Sequence, residues 1–233
     1  MLRERPSQPE RMDQPDFGLR ETEASFRFIE PVNRWLGGVQ PMLGFFRREG
    51  RAWLPGQTVR ILDVGCGCGD VALALARWGQ RAGHRLQIEA VDRNPNAVAL
   101  AQRKAGHAAN LTFACRDALA LEGAPHDYVL AAMFVHHFPD AEVPALLHRL
   151  LSLARRKVVV NDLQRTAPNY LGTWLATAFS QPVVQHDARL SVCKGFTLGE
   201  LRRLLEAQGL SVYRLERHFF CRFLLILNRE DYP

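Results

Sequence analysis

The run Asp63-Val64-Gly65-Cys66-Gly67-Cys68-Gly69 offers two chemistries. Alternate glycines after an apolar stretch strip one edge of a turn of side chains, so a ligand can approach bare backbone. The helix that follows presents unpaired N–H groups to that ligand. Alternate thiols could instead hold a metal, but the spacing disfavours this. Structural zinc sites use Cys-x2–4-Cys together with a second ligand pair. Here one residue separates the thiols, and the next candidate ligands, His136 and His137, are adjacent and expected to point in different directions. No metal is expected. The loop also lacks the Lys-Ser/Thr ending of a nucleoside-triphosphate loop. Asp92 closes the next apolar run, with Arg93 beside it, and a carboxylate there can receive both hydroxyl hydrogens of a ribose. Asp117, just after the third run, can accept from an adenine amino group.

These residues need a scaffold that brings strand ends together, and the chain reads as one. Apolar strand-like runs at 59–64, 86–91, 111–115, 128–134 and 157–163 alternate with helical patterns. One such pattern opens at Asp70. A second has Asn94 as its cap and Pro95 in its first turn. A third follows Pro139, with Val143, Leu146, Leu147, Leu150 and Leu151 on one face. That rhythm argues for an α/β fold with a mainly parallel sheet covered on both faces. Thr197 and Glu200 form a candidate capping box, stapled by Phe196 onto Leu201. Segments 211–215 and 222–228 are close enough to pair as an antiparallel hairpin at the sheet edge. Residues 1–20, rich in Pro, Glu, Gln and Arg, read as a flexible arm; 21–54 as a helical lid; 55–233 as the main domain, interrupted by an insert at 165–195.

Composition narrows the function. The net charge is +6, but no basic run exceeds Arg155-Arg156-Lys157, so a nucleic-acid groove is not expected. No segment approaches the ~18 apolar residues of a membrane span. The five cysteines are too few and too scattered for a disulfide scaffold. A cytoplasmic protein with reduced thiols, monomeric or homodimeric, is expected.

Taken in order, ILDVGCGCG at 61–69, Asp92, Asp117 with Ala118, and Ala131-Ala132-Met133 followed by HHF resemble the class I S-adenosylmethionine-dependent methyltransferases over about residues 55–228. The resemblance implies a Rossmann-like seven-stranded sheet with a reversed last strand, and S-adenosylmethionine as cofactor. Gly65, Cys66, Gly67 and Gly69 would offer it backbone, Asp92 would take the ribose, and Asp117 and Ala118 would flank the adenine. Ala132 and Met133 would pass under the amino-acid end, which Asp63 would approach through water. A dinucleotide-binding fold shares the glycine turn and the acid after strand two. The DVGCGCG form, the short chain and the terminal hairpin disfavour it.

A sulfonium donates its methyl by in-line displacement, so the protein has to place an electron-rich acceptor atom and exclude water. Candidates to assist are His136 and His137 after strand four, Asp162 near the end of strand five (unless Asn161 is the inward member) and His186 in the insert. Asp187 and Arg189 could form a polar wall, with Tyr170, Trp174 and Trp35 receiving an aromatic or lipid-like body. NDLQR at 161–165 and HDARLSVCKGFTLGEL at 186–201 resemble the ubiquinone/menaquinone-related small-molecule group and its relatives in aromatic-polyketide and phenolic-lipid tailoring. Asp187-Ala188 stands where that pattern carries Asp-Gly. The resemblance implies secondary or quinone-like metabolism and O-methylation of a small phenol or quinol. C-methylation of a similar ring, a protein or RNA substrate, and cofactor binding without catalysis are the alternatives; no Asn-Pro-Pro-Tyr-like run follows strand four to favour amide methylation. Replacing Asp92 with Ala removes the ribose acceptor. Charged hydrogen bonds contribute about 1.5–3 kcal/mol, so calorimetry should show S-adenosylhomocysteine affinity falling roughly tenfold to a hundredfold; unchanged affinity refutes the ribose role.

Overall fold

The computed structural model describes residues 2–14, 16–35, 37–106 and 108–232. The side chain of Trp35 lies outside the described residues, and with it the expectation that Trp35 touches substrate. Seven strands form one sheet: β1 (Thr58–Val64), β2 (Arg85–Asp92), β3 (Leu111–Cys115), β4 (His126–Ala132), β5 (Ala154–Leu163), β6 (Arg214–His218) and β7 (Arg222–Asn228). Their spatial order is β3-β2-β1-β4-β5-β7-β6. The first five are parallel, whereas β7 runs antiparallel to both β5 and β6. Chain order reverses between β1 and β4, where an open α/β sheet leaves a crevice beyond the carboxyl ends of its strands.

The helices are α1 (Leu19–Trp35), α2 (Gln40–Glu49), α3 (Asp70–Ala82), α4 (Pro95–Ala105), α5 (Val143–Ser152), α6 (Ala167–Ala176), α7 (Pro182–Lys194) and α8 (Leu198–Glu206). Side chains alternate across each strand, so β1 sends Val59 and Ile61 to one face and Leu62 and Val64 to the other. The first pair joins a core with Phe46 of α2 and Leu75 of α3. The second joins Leu146, Leu147 and Leu150 of α5 with Leu201 and Leu205 of α8. Each fully buried leucine contributes about 1.5–3 kcal/mol relative to exposure. A strand buried on both faces therefore reads as an unbroken apolar run.

Local signals explain the boundaries. The Asn94 side-chain Oδ1 accepts from the N–H groups of Asn96 (2.9 Å) and Ala97 (3.3 Å), capping α4 just before its Pro95. Thr197 and Glu200 exchange both bonds of the capping box on α8. Several assignments differ from expectation, among them the start of β5, at Ala154 rather than 157. β4 stops at Ala132 because Met133 turns into the left-handed region (φ +55°). The first arm of the hairpin begins at Arg214 rather than 211. Residues 185–189, expected as a polar loop, lie inside α7; of these, Asp187 is buried and serves partners within the fold, whereas His186 stays at the surface, as described below.

Residues 2–14, expected as a flexible arm, are packed against the domain. Arg5 lies with its guanidinium 3.9 Å above the Phe196 ring. It donates to the carbonyls of Lys194 (2.6 Å), His136 (3.0 Å) and Phe138 (2.8 Å) and pairs with Asp140. A composition of Pro, Glu and Arg suggests a solvated chain only where those charges have no partners in the fold. Among the described residues no helix is long and apolar enough to cross a membrane. Replacing Thr197 with Ala breaks the capping box, which costs about 1 kcal/mol. Thermal unfolding should then fall by roughly 2–4 °C, with ligand affinity untouched.

Candidate functional site

A cavity of about 680 Å3 lies beyond the strand ends, between the sheet, α1, α6, α7 and the N-terminal segment. Its floor begins with the glycine turn after β1. Gly65, Gly67 and Gly69 have φ of +67°, +53° and +82°. Two of these positions are forced by packing as well: a Cβ at Gly65 would stand 2.1 Å from the Phe134 ring, and one at Gly69 would stand 2.7 Å from the Phe113 ring. Gly67 faces the cavity and donates its N–H to Asp92 Oδ2 (2.8 Å), while Asn94 N–H donates to Asp92 Oδ1 (2.8 Å). The carboxylate at the end of β2 is thereby fixed in orientation, with lone pairs left over. Burial pushes its pKa up.

Asp63, at the end of β1, is 1% exposed and lines the same cavity, yet neither carboxylate oxygen has a hydrogen-bond partner. Burial, and then the nearby Asp92 charge, push it up to about 7. An orphaned buried acid of this kind fits a cationic ligand group such as the ammonium of an amino acid. Cys66, Arg93, Asp117, Ala118, Ala132 and Met133 also line the cavity. Asp117 Oδ1 accepts from Leu119 N–H (2.9 Å), and Arg93 reaches within 3.7 Å of Asp13. Glycine backbone, the two buried acids and the Asp117 turn thus form one continuous wall suited to an adenosyl amino acid. Gly69 lies behind it, at the start of α3.

The thiols form no pair with the histidines. Burial holds Cys66 well above the usual thiol range, and burial with Asp70 pushes Cys68 up to about 12. Lys104 Nζ lies 3.2 Å from the Cys68 sulfur.

The opposite wall corrects a second expectation. His136 and His137 do not diverge: the single 3-10 turn Val135–His137 sets their rings 4.3 Å apart, and both line the cavity. Asp162 holds this turn. One carboxylate oxygen accepts from His136 N–H (3.0 Å), and the other lies 2.7 Å from Nδ1. Asp162 itself is fully buried and does not line the cavity, so it reaches the site only through His136. Its neighbour Asn161 faces the other way and donates to the carbonyls of Gly37 and Gly38. Burial pulls His136 down, but Asp162 and Glu10 outweigh it and lift the imidazole to about 9.

Glu10 and Asp13 were not anticipated. Glu10 is 2% exposed, accepts from Ser191 Oγ (2.8 Å) and lies 3.5 Å from His136 Nε2; Asp13 lies 2.7 Å from His137 Nδ1. Both line the cavity. Burial pushes Glu10 up, but His137 and His136 together hold it below the usual carboxylate range. Nothing periodic in the first twenty residues marks these acids. Arg222 was missed too, although a charge inside CRFLLIL was a signal: its guanidinium lines the cavity beside the Met133 sulfur, and burial lowers it to about 10.

Several expected substrate residues stand elsewhere. His186 is on the outer face of α7, its side chain 57% exposed and its ring paired with Asp187 (2.9 Å). Asp187 is buried, but its oxygens accept the N–H groups of Arg11 (2.9 Å) and Met12 (3.0 Å), tying down the N-terminal segment. Arg189 donates to Gln185 and lies over the half-exposed Trp174 ring. On α6 the cavity face carries Asn169, Gly172, Thr173 and Ala176, at helical spacing, whereas Tyr170 and Trp174 fall outside it. The aromatic cover comes instead from Phe26, with Ile29 and Val32, on α1, and from Phe134, Phe138 and Phe220.

Residues 61–157 match the protein family described as "Methyltransferase domain". The chain is 55% identical over 58 residues to a release factor glutamine methyltransferase of Escherichia coli, covering 25% of this chain and 20% of that protein. It is 31% identical over 153 residues to a ubiquinone biosynthesis O-methyltransferase of Azorhizobium caulinodans, covering 63% and 56%. The chain therefore spans a fifth to little more than half of the length of these relatives. The structure of the plantazolicin methyltransferase BpumL, in complex with a triazolic desmethylPZN analog and SAH, superposes with a TM-score of 0.70 at 15% identity, covering 93% of this chain and 92% of that one. Residues 61–157 thus carry a methyltransferase domain, and the sheet order and the glycine turn locked to the acid of β2 resemble those of the class I S-adenosylmethionine-dependent methyltransferases.

Proposed function

We propose that the protein transfers a methyl group to a hydroxyl of a small phenolic, quinol or polyketide-derived acceptor. The observation that carries this reading is the continuity of one cavity. It runs from the Gly67–Asp92 wall, past an apolar lining of Phe26, Ile29, Val32, Phe134 and Phe138, to the Glu10, His136 and His137 cluster. S-adenosylmethionine, when bound, supplies a methyl group activated by a sulfonium. The chain's own work is then to bind, orient and keep dry.

Asp92, the Gly67 backbone and Asp63 suit the ribose and amino-acid ends. The rings of α1 and of the turn after β4 suit a flat apolar acceptor. A phenol ordinarily loses its proton near pH 10, and that proton needs a receiver. Glu10 and His137 are the groups within reach, while His136, lifted to about 9 and so charged at neutral pH, favours the phenoxide, with Asp162 as its positioning residue. The likeness to a glutamine methyltransferase is local, 58 residues long, and the matched methyltransferase domain at 61–157 includes neither Glu10 nor Asp162. C-methylation of a similar ring would use the same wall.

Two measurements test the reading. In a labelled-methyl screen over hydroxyquinols, resorcinols and polyketide phenols, the expected product is an aryl methyl ether. Methyl on ring carbon would replace O- by C-transfer, and cofactor binding with no transfer to any acceptor would overturn the enzymatic reading. The second measurement concerns Asp63. Its pKa in the fold, about 7, lies above the ordinary carboxylate value. Ionising it therefore costs stability, a cost absent below about pH 4 that grows as pH rises to 7 and is complete above. At pH 8 Asp63→Asn should raise the melting temperature of the ligand-free protein by several degrees. It should also weaken S-adenosylmethionine binding by about tenfold or more, as loss of a charged contact does; unchanged affinity removes Asp63 from the site.

A further inference from the structure

The geometry points to a divalent transition-metal site formed by Glu10, His136 and His137. One ligand atom from each lies within 4.8 Å of the other two. They come from distant parts of the chain: Glu10 from the N-terminal segment, the histidines from the turn after β4.

His136 carries the argument. Asp162 Oδ1 lies 2.7 Å from Nδ1, so Nδ1 is the nitrogen that donates and Nε2 is left to face the cavity wall. Nε2 belongs to a side chain 1% exposed and has no hydrogen-bond partner. The group nearest to it is the buried Glu10 carboxylate at 3.5 Å, too long for the ~2.7–2.9 Å of a charge-assisted hydrogen bond. His137 Nδ1 approaches the same Glu10 oxygen at 4.0 Å. A second proton on His136 would serve one of these two contacts; a shared cation serves both.

The surroundings match a metal centre in kind. Ligating histidines commonly give their other ring nitrogen to a carboxylate that fixes the ring, and Asp162 does this for His136. Asp13 lies 2.7 Å from His137 Nδ1, the nitrogen that faces Glu10, so it stands beside the ion position as a further donor rather than behind the ring. Ser191 Oγ orients Glu10 through a 2.8 Å bond. Zinc binds imidazole nitrogen and carboxylate oxygen at about 2.0–2.2 Å, so neighbouring donors around it stand roughly 3.3 Å apart. Closing the present cluster onto an ion requires movements well under an ångström for the Glu10–His136 edge. Two imidazoles and one carboxylate suit zinc, iron, cobalt or nickel better than magnesium or calcium. Three protein donors leave a coordination position toward the cavity, where an acceptor oxygen or water would bind. The proposal deepens the methyl-transfer reading by naming what the acceptor's hydroxyl meets, but its test does not depend on turnover.

The untagged full chain, stripped with a chelator, is titrated with Co2+ alone, followed by visible absorption and calorimetry. The expected result is one ion per chain with the bands of nitrogen and oxygen ligands. Glu10→Gln and His137→Gln should each weaken binding by at least about tenfold, and Asp162→Asn by about 10–100-fold through the loosened ring. S-adenosylhomocysteine affinity, measured on every variant, should stay unchanged and certifies the fold. Three results overturn the site: no stoichiometric uptake by the wild-type chain, uptake indifferent to both Glu10→Gln and His137→Gln, or thiolate charge-transfer bands assigning the ion to cysteine. Metal uptake without methyl transfer would refute only the acceptor reading, and methyl transfer without uptake only the metal.

Discussion

Asp162 joins two parts of the molecule that share no continuous chain. Its two oxygens hold the backbone and the ring of His136, so the end of β5 fixes the turn that follows β4. The bond is fully buried, where a hydrogen bond to a charged group contributes more than at the surface and where losing one partner leaves the other costly. Everything on the acceptor side follows from it. Because His136 is held, His137 projects beside it. Because both rings face inward, the N-terminal segment finds partners for Glu10 and Asp13.

The cofactor side rests on a separate lock, the bond from Gly67 N–H to Asp92, which ties the turn after β1 to the end of β2. The two locks sit on opposite sides of the place where strand order reverses, and the cavity lies between them. The two walls are thus built on different strand pairs.

The packed N-terminal segment changes how the cavity is closed. Arg5 anchors it to three carbonyls, and Asp187 caps the turn at residues 11–12. Asp187 and Ser191 therefore act on substrate space indirectly, by seating the acids of the segment, rather than by touching an acceptor. α7 carries polar residues on its buried face for this purpose. That is the physical reason its middle reads as a loop: amphipathic periodicity assumes that inward means apolar.

The amino-acid sequence by itself determined the sheet, its covering helices and the glycine turn at the cavity floor. Those features depend on short-range rules: alternation along strands, caps such as Asn94 and Thr197, and glycines where only backbone fits. Gly65, Gly67 and Asp92 were legible for that reason. The acceptor wall was legible only in part. His136, His137 and Asp162 were visible as reactive types near strand ends, but not that the two rings converge or that Asp162 stays behind them. Tyr170, Trp174 and His186 looked suitable by type and turned out to face away from the cavity, because the side of a helix that meets a pocket is set by packing, not by which side is aromatic. Glu10 and Asp13 carried no local signal at all. Their role arises from contacts spanning more than a hundred residues, and pairings of that separation are decided when the chain closes on itself.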